Sequence, residues 1–316
     1  MNCPYIIYSR TEDAWGAMFR AVQSASRSVF WEVYIFLDDE AGKPFYDLLE
    51  AKARAGVEVK LIIDAFGSSS ISSARLASLS DAGADVRLFS ERRRKWWRWW
   101  RPLYARTHRK LLIIDEGVGF MGGVNINRSM RSWLDIHLRV SGSVVRALVR
   151  SFAKSYLVSG GEKWQIRHLL RRQRSATGET TEVIVGSPHK THSNIRDRYI
   201  QGLRQARQRV IFFSPYYFPD KYFLRAVWQA RRRGVKIDLL IPFRTDVRLA
   251  TYAAYGCFAV LRRIGVNIHF LGQMMHGKGM IVDDALAIVG TSNLDQTSFY
   301  DNYEINLKIR DHGFVR

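Results

Sequence analysis

A chain of 316 residues with 47% hydrophobic side chains has room for one large domain or two ordinary ones, and is too apolar to be disordered. Its 49 Lys and Arg stand against 29 Asp and Glu, a net charge of 49 − 29 = +20, which says little about fold but predicts attraction to polyanions, either nucleic acid or an anionic membrane. Cys3 and Cys257 are the two cysteines and form no CxxC pair, which argues against a zinc site or a disulfide framework and fits a reducing compartment.

The opening MNCPYIIYSRTEDAW lacks a basic region followed by an apolar one, so no signal peptide is expected. Apolar runs without charge, such as residues 249–261, fall short of the ~18–20 residues of a spanning helix. Contact with a membrane is therefore expected at its surface. Residues 29–37 and 57–63 are nearly continuous apolar runs, as in strands buried on both faces, and a helix ending near Gly56 joins them. A helix at 72–82 and a strand at 86–89 follow.

The next stretch, RRRKWWRWWRPLYAR, packs six cations and four tryptophans into residues 92–101. Adjacent tryptophans point different ways, so one core cannot easily bury all four. Tryptophan favours the headgroup region, and each arginine there gains roughly 1 kcal/mol against anionic lipid. Arg94, Lys95, Trp96, Trp97, Arg98, Trp99 and Trp100 are thus expected to contact a membrane. The competing readings are base stacking on single-stranded nucleic acid and a solvated basic loop.

THRKLLIID follows at 107–115, with cations ahead of a four-residue apolar run and an aspartate behind it. A polar Gly-, Ser- and Arg-containing connector at 159–180, with a short basic helix, marks the boundary between halves. The second half repeats the first. Strands at 210–218 and 235–241 flank a helix ending near Gly234, then come a helix at 246–263 and a strand at 267–270. The expected organisation is a first α/β half at 1–158, a linker at 159–180 and a second half at 181–316.

The repeat extends to polar positions. His108-x-Lys110-x4-Asp115 matches His276-x-Lys278-x4-Asp283. Gly122 and Gly290 each lie 14 residues after their histidine, and Asn125 and Asn293 each lie 17 after. An acidic residue follows at 27 (Asp135) and at 28 (Glu304). A lone HxK is weak, whereas the doubled pattern is specific. In a strand, residues i and i+2 share a face, so His108 and Lys110 would project together, as would His276 and Lys278.

Packing of the halves about a pseudo-two-fold axis would bring both pairs to one cleft. Such a cleft lacks the carboxylate cluster that a hard divalent cation wants, and it suits a phosphate diester; no metal or cofactor is expected. Lys110, Lys278, Asn125 and Asn293 would donate to the phosphoryl oxygens. One histidine would attack phosphorus, and the other would move the proton. Asp135 and Glu304 would accept from the far ring nitrogens and fix the tautomers. Asp115 and Asp283 would tie down the local turns. His137 reads as a packed structural histidine, His189 and His192 as a loop before a helix, and Ser129 and Ser298 as turn-capping hydroxyls.

With HRKLLIID…GGVNI…WLDIHLRVSG and HGKGMIVDD…GTSNLDQTSF…NYEINL in place, the chain resembles the phospholipase D superfamily with its paired HKD motifs. Within it, EVYIFLDDEAGK, RDRYIQGLRQARQRV and PYYFPD are most similar to bacterial cardiolipin synthases of the short type without membrane-spanning helices. The resemblance spans nearly the whole chain. It implies two α-β-α sandwich halves with one active site at their interface. Its catalytic set is His108, Lys110, Asp115, His276, Lys278 and Asp283, with the first histidine as nucleophile and the second as acid and base.

The activity implied is transfer of a phosphatidyl group, typically from phosphatidylglycerol, to the hydroxyl of another lipid without metal. Hydrolysis to phosphatidic acid and a nuclease of the same superfamily are the alternatives. The implied partners are anionic phospholipids and no nucleic acid. A monomer suffices for the site, though a dimer stays open, and the implied place is the cytoplasmic face of a bacterial inner membrane. Two departures stand out. Thr297-Ser298 replaces the Arg-Ser of many relatives, and Gly277 and Gly279 flank Lys278 where relatives often hold a larger residue.

Overall fold

The computed structural model describes residues 5–89, 91–92, 104–171, 180–189, 191–246 and 248–315. The chain forms two compact units, one comprising Met1–Ser132 and His137–Gly178, the other Trp133–Ile136 and Glu179–Arg316. The second unit thus takes in four residues from the first half of the sequence.

The first unit is built on a seven-stranded sheet of Tyr5–Arg10, Ser28–Val33, Glu58–Asp64, Asp85–Phe89, Leu111–Ile114, Val118–Gly122 and Leu134–Ser141, the last entering this unit at His137. The second is built on Thr181–Gly186, Arg209–Phe213, Lys236–Pro242, Asn267–Leu271, Gly279–Val282, Leu286–Gly290 and Glu304–Ile309. Numbered in chain order within each sheet, the strands lie 1-7-6-5-2-3-4 in both. Strands 2, 3 and 4 are parallel, linked by helices such as Lys43–Arg54 and Lys221–Arg232. Strand 5 then returns antiparallel to strand 2. The sheets are mixed α/β layers, and the duplicated sequence pattern reappears as duplicated topology.

Local chemistry explains the helix starts. Ser72, Ser193 and Asp220 each cap a helix by accepting from a backbone amide three residues on, at 3.2, 3.2 and 2.8 Å. The apolar strands pack against these helices. Trp31, Phe36, Phe45 and Tyr46 centre the first core, and Tyr199, Phe212, Phe223 and Phe299 the second. No helix among the described residues is long and apolar enough to cross a membrane.

The second strands end earlier than the apolar runs suggest, at Val33 and Phe213 rather than at 37 and 218. Beyond Val33 the backbone leaves the ladder because side chains take over its polar groups. Ile35 N donates to Asn125 Oδ1 at 3.2 Å and Phe36 N to Ser68 Oγ at 2.9 Å, while Tyr34 O accepts from that hydroxyl at 3.0 Å. In the second unit Tyr217–Phe218 pairs with Leu294–Asp295 instead.

Candidate active site

Neither His–Lys pair lies within a strand. The strands open at Leu111 and Gly279, immediately after each lysine. Each pair is held by a backbone hydrogen bond instead of by strand pleating: Lys110 Nζ donates to His108 O at 2.9 Å, and Lys278 Nζ donates to His276 O. All four side chains are buried. Burial of a lysine side chain is costly unless its polar head is hydrogen-bonded, and in each unit the carbonyl of the motif histidine supplies that bond.

In the first unit His108 rests edge-on against Tyr34, ring centroids 4.9 Å apart, and Lys110 Nζ lies 5.1 Å from that ring's centroid. Arg109, between them, turns to a separate buried network. Its Nη1 is 2.5 Å from Ser155 Oγ and 3.9 Å from Glu32 Oε2, and Glu32 also accepts from Thr107 Oγ1. Burial raises the pKa of Glu32, with Arg109 and Thr107 opposing. Thr107 N donates to Asp64 Oδ2 at 2.9 Å, pinning the approach to the motif. Glu32, Tyr34 and Asp64 escape sequence reasoning because they sit inside or just past apolar strands.

In the second unit Leu134 pairs with Met275, so that His276 N donates to Leu134 O at 2.7 Å. That pairing carries Asp135 to the motif. Asp135 Oδ2 lies 2.9 Å from His276 Nδ1, and its Oδ1 accepts from Ile136 N at 2.7 Å. Trp133 flanks the imidazole, centroids 5.5 Å apart. An imidazole that donates Nδ1–H to a carboxylate carries its lone pair on Nε2 and is steadied when it becomes a cation.

The glycines around Lys278 now have a reason. A Cβ on Gly277 would lie 2.9 Å from Ile136 Cγ1 and 3.2 Å from Ile136 N, and one on Gly279 would lie 2.3 Å from Ile288 O and 2.5 Å from the Phe213 ring. Gly277 permits the close approach that delivers Asp135.

Asp115 and Asp283 make the same turn in each unit. Asp115 Oδ1 accepts from Arg27 N at 2.7 Å and Ser28 N at 2.9 Å; Asp283 Oδ1 accepts from Gln208 N and Arg209 N, both at 2.8 Å. Both aspartates have φ = +50°, in the left-handed region that Asp tolerates better than most residues. Burial works against their charge, yet the amide donors hold both carboxyls below the usual range. These side chains are occupied by the turn that leads into the second strand.

Asn125 is buried and its Oδ1 accepts from Ile35 N, while its backbone carbonyl accepts from Trp15 Nε1 at 2.8 Å. Asn293 is buried, with its backbone N donating to Ser298 Oγ at 3.1 Å and, among the described residues, no partner for Oδ1. Glu304 is fully buried and accepts from Thr291 Oγ1 at 2.5 Å. Asp295 caps the short helix Gln296–Tyr300 by accepting from Ser298 N at 2.7 Å. Desolvation pushes its pKa up to about 6; Glu304 adds to the rise, while Ser298 and Lys278 oppose it. Sequence reasoning missed Asp295, which lies two residues past Asn293. His189 Nδ1 accepts from His192 N at 3.1 Å in the loop before Asn194–Gln205.

Arg94, Lys95, Trp96, Trp97, Arg98, Trp99 and Trp100 lie outside the described residues. The segment that contains them is bracketed by an antiparallel pair, Glu91–Arg92 with Tyr104–Ala105. Among the described residues, no group of three or more His, Cys, Asp or Glu side chains could hold a metal ion.

A family model described as "Cardiolipin synthase, PLD-like domain" matches residues 18–155 and 199–316. The cardiolipin synthase of Geobacillus kaustophilus is 31% identical over 312 residues, 95% of this chain and 61% of that protein. Cardiolipin synthase B of Escherichia coli O6:H1 is 31% identical over 313 residues, 96% of this chain and 75% of that protein. The chain therefore spans about three fifths of the length of the first of these relatives. Among solved structures, the phosphatidylserine synthase of Haemophilus influenzae superposes with a TM-score of 0.74 at 12% identity, covering 99% of this chain and 83% of that one. The polyphosphate kinase of Porphyromonas gingivalis gives 0.65 at 11% identity, covering 98% of this chain and 45% of that one. At these identities the structural likeness is one of fold.

Proposed function

Because the chain belongs to the family of cardiolipin synthases with a PLD-like domain, we propose that it is a phosphatidyltransferase. In this reading it moves a phosphatidyl group from phosphatidylglycerol to the hydroxyl of a second lipid through a covalent phosphohistidine. The observation that carries the proposal is the buried His–Lys turn, present twice, with a carboxylate seated on His276 Nδ1.

The two pairs serve one phosphorus centre. His108 attacks phosphorus, forming a P–N bond as the P–O bond to the leaving alcohol breaks, and His276 gives that oxygen its proton. His276 then takes the proton of the acceptor hydroxyl, whose oxygen displaces His108 and restores the diester. Asp135 steadies the His276 cation in the first state and its neutral tautomer in the second; we extend the tautomer-fixing duty to Glu304. Lys110 and Lys278, with the carboxamides of Asn125 and Asn293, neutralise the equatorial oxygens. Asp115 and Asp283 act one step removed, as anchors of the turns. The excess of 20 positive charges, and the Arg and Trp segment at 94–100, support work on an anionic membrane surface, which we take to be the cytoplasmic face of a bacterial inner membrane.

The test is incubation of the purified chain with phosphatidylglycerol vesicles, with lipid products resolved by mass. Cardiolipin plus glycerol is expected, abolished in His108→Ala and His276→Ala. Phosphatidic acid alone would make the protein a hydrolase. No lipid turnover beside cleavage of single-stranded DNA would overturn the lipid reading.

A further inference from the structure

Three cations surround His108 in sequence, and they meet three different fates. Lys110 donates to the His108 carbonyl, and Arg109 is buried against Ser155 and Glu32. Arg106 is different. Its Nη1 donates to Tyr34 Oη at 3.2 Å, and its guanidinium carbon lies 3.7 Å from the centroid of the Phe66 ring, which is 60% exposed. Asp64, the carboxylate that feels its charge, is already taken by the amides of Phe66, Gly67 and Thr107 at 3.0, 2.9 and 2.9 Å. Among the described residues, Arg106 forms an ion pair with no carboxylate. A half-buried guanidinium resting on a phenol and an aromatic face is a ready site for a phosphate, which it grips through two parallel hydrogen bonds.

The position is also asymmetric. The residue two before His276 is Met274, so this cation belongs to the first motif alone within an otherwise duplicated pattern. A transfer reaction gives its two substrates different roles, donor and acceptor, and a duplicated catalytic set needs such a difference to tell the roles apart.

We propose that Arg106 determines the acceptor: it binds the phosphate of an alcohol that itself carries one, and so favours phosphate-bearing acceptors over neutral alcohols and water. The inference rests on the phosphatidyltransferase reading and narrows it. Tyr34, which touches both Arg106 and His108, links the guanidinium to the histidine, and Phe66 supports the guanidinium's face.

The experiment measures acceptor ratios with the full chain and labelled phosphatidylglycerol as donor. Three acceptors are compared: phosphatidylglycerol in vesicles, soluble glycerol 3-phosphate, and deuterated glycerol, whose incorporation into phosphatidylglycerol is read as a mass shift. Arg106→Met, which installs the residue of the second motif, is expected to lower transfer to both phosphate-bearing acceptors about 10- to 100-fold while transfer to glycerol stays within about twofold. The effect should fall on the acceptor KM. Arg106→Lys should recover part of it, since a point charge replaces the planar fork.

Because acceptors are compared in one preparation, loss of folded protein leaves the ratio unmoved. Equal loss with all three acceptors would assign Arg106 to the donor or to the scaffold and overturn the proposal. Loss with vesicles alone would assign it to the membrane surface, overturning it equally. A wild-type protein inert towards every phosphodiester sinks the transferase reading itself, whereas an active wild type with an unchanged ratio in Arg106→Met sinks this inference only.

Discussion

Asp135 and His276 are 141 residues apart in sequence, yet Asp135 Oδ2 and His276 Nδ1 lie 2.9 Å apart, both side chains buried. The acidic residue that follows the first motif serves the histidine of the second. Asp135→Asn keeps the shape but offers its carboxamide in place of the charge, and can present an N–H where an acceptor is needed. Its kcat is expected to fall about 10²- to 10⁴-fold with little change in KM, by analogy with the aspartate of a serine-protease triad. Steady-state kinetics on phosphatidylglycerol vesicles check this, and an unchanged kcat would remove Asp135 from the mechanism.

Gly277 should behave as a spacer. Gly277→Val places branched carbons against Ile136, whose Cγ1 would be 2.9 Å from the first added atom. Overpacking of this kind typically costs about 1–3 kcal/mol. It should also part Leu134 from Met275 and so withdraw Asp135. The expected signature is a lowered denaturation midpoint together with a kcat loss matching that of Asp135→Asn. Full activity in a destabilised protein would separate the pairing from catalysis.

The turn aspartates give a stability effect with a defined pH sign. Asp115 and Asp283 have depressed carboxyl pKa values in the folded chain. Their stabilisation is present above the unfolded carboxyl pKa, near 4, and is lost as pH falls through the lower folded value. Asp115→Asn should therefore destabilise the protein at pH 7 by about 1.5–3 kcal/mol, the range for hydrogen bonds to a charged group. The deficit should shrink below about pH 4. Urea titrations across pH measure it, and kcat per folded molecule should survive.

Asp295 has the opposite sign. Its carboxyl is raised to about 6 in the folded chain against 3.8 ordinarily, so the fold holds this proton more tightly than the unfolded chain does. Its favourable contribution is complete below about pH 4 and is lost as pH climbs through about 6. Asp295→Asn still caps the helix at Gln296, because Asn is as good at that position as Asp. The variant should match the wild type at pH 4 and exceed it at pH 8 by up to about 3 kcal/mol. Thermal melts at the two pH values decide, and a variant weaker at pH 8 would mean that the charge is needed where it sits.

Much of this arrangement was legible in the residues. The α/β class follows from apolar runs separated by helical spacing, and the duplication follows from polar positions recurring at fixed intervals. The turn anchors could be inferred because an aspartate closing an apolar run has few other uses. Other features were hidden for physical reasons. His108 and Lys110 share a site through a bond from the lysine side chain to the histidine carbonyl rather than through strand pleating, because the strand starts at Leu111, after both residues. Tyr34 lies just past a strand that the apolar run extends to residue 37, so its contact with His108 carries no local signal. Arg109 looks like its neighbours, but its pairing with Glu32 depends on which strand lies alongside. Asn125 and Asn293 occupy equivalent positions in the repeat, yet only Asn125 spends its Oδ1 on a backbone amide.

The membership of Trp133–Ile136 in the second unit has a practical side. A fragment that begins at Glu179 would inherit the second motif without its counter-ion and would lose the bridge that Leu134 makes to Met275. Splitting the gene at the linker thus yields a carboxy-terminal product missing four residues of its own architecture. A workable dissection would graft that short segment back by circular permutation, and the two halves, though copies in plan, are not interchangeable parts.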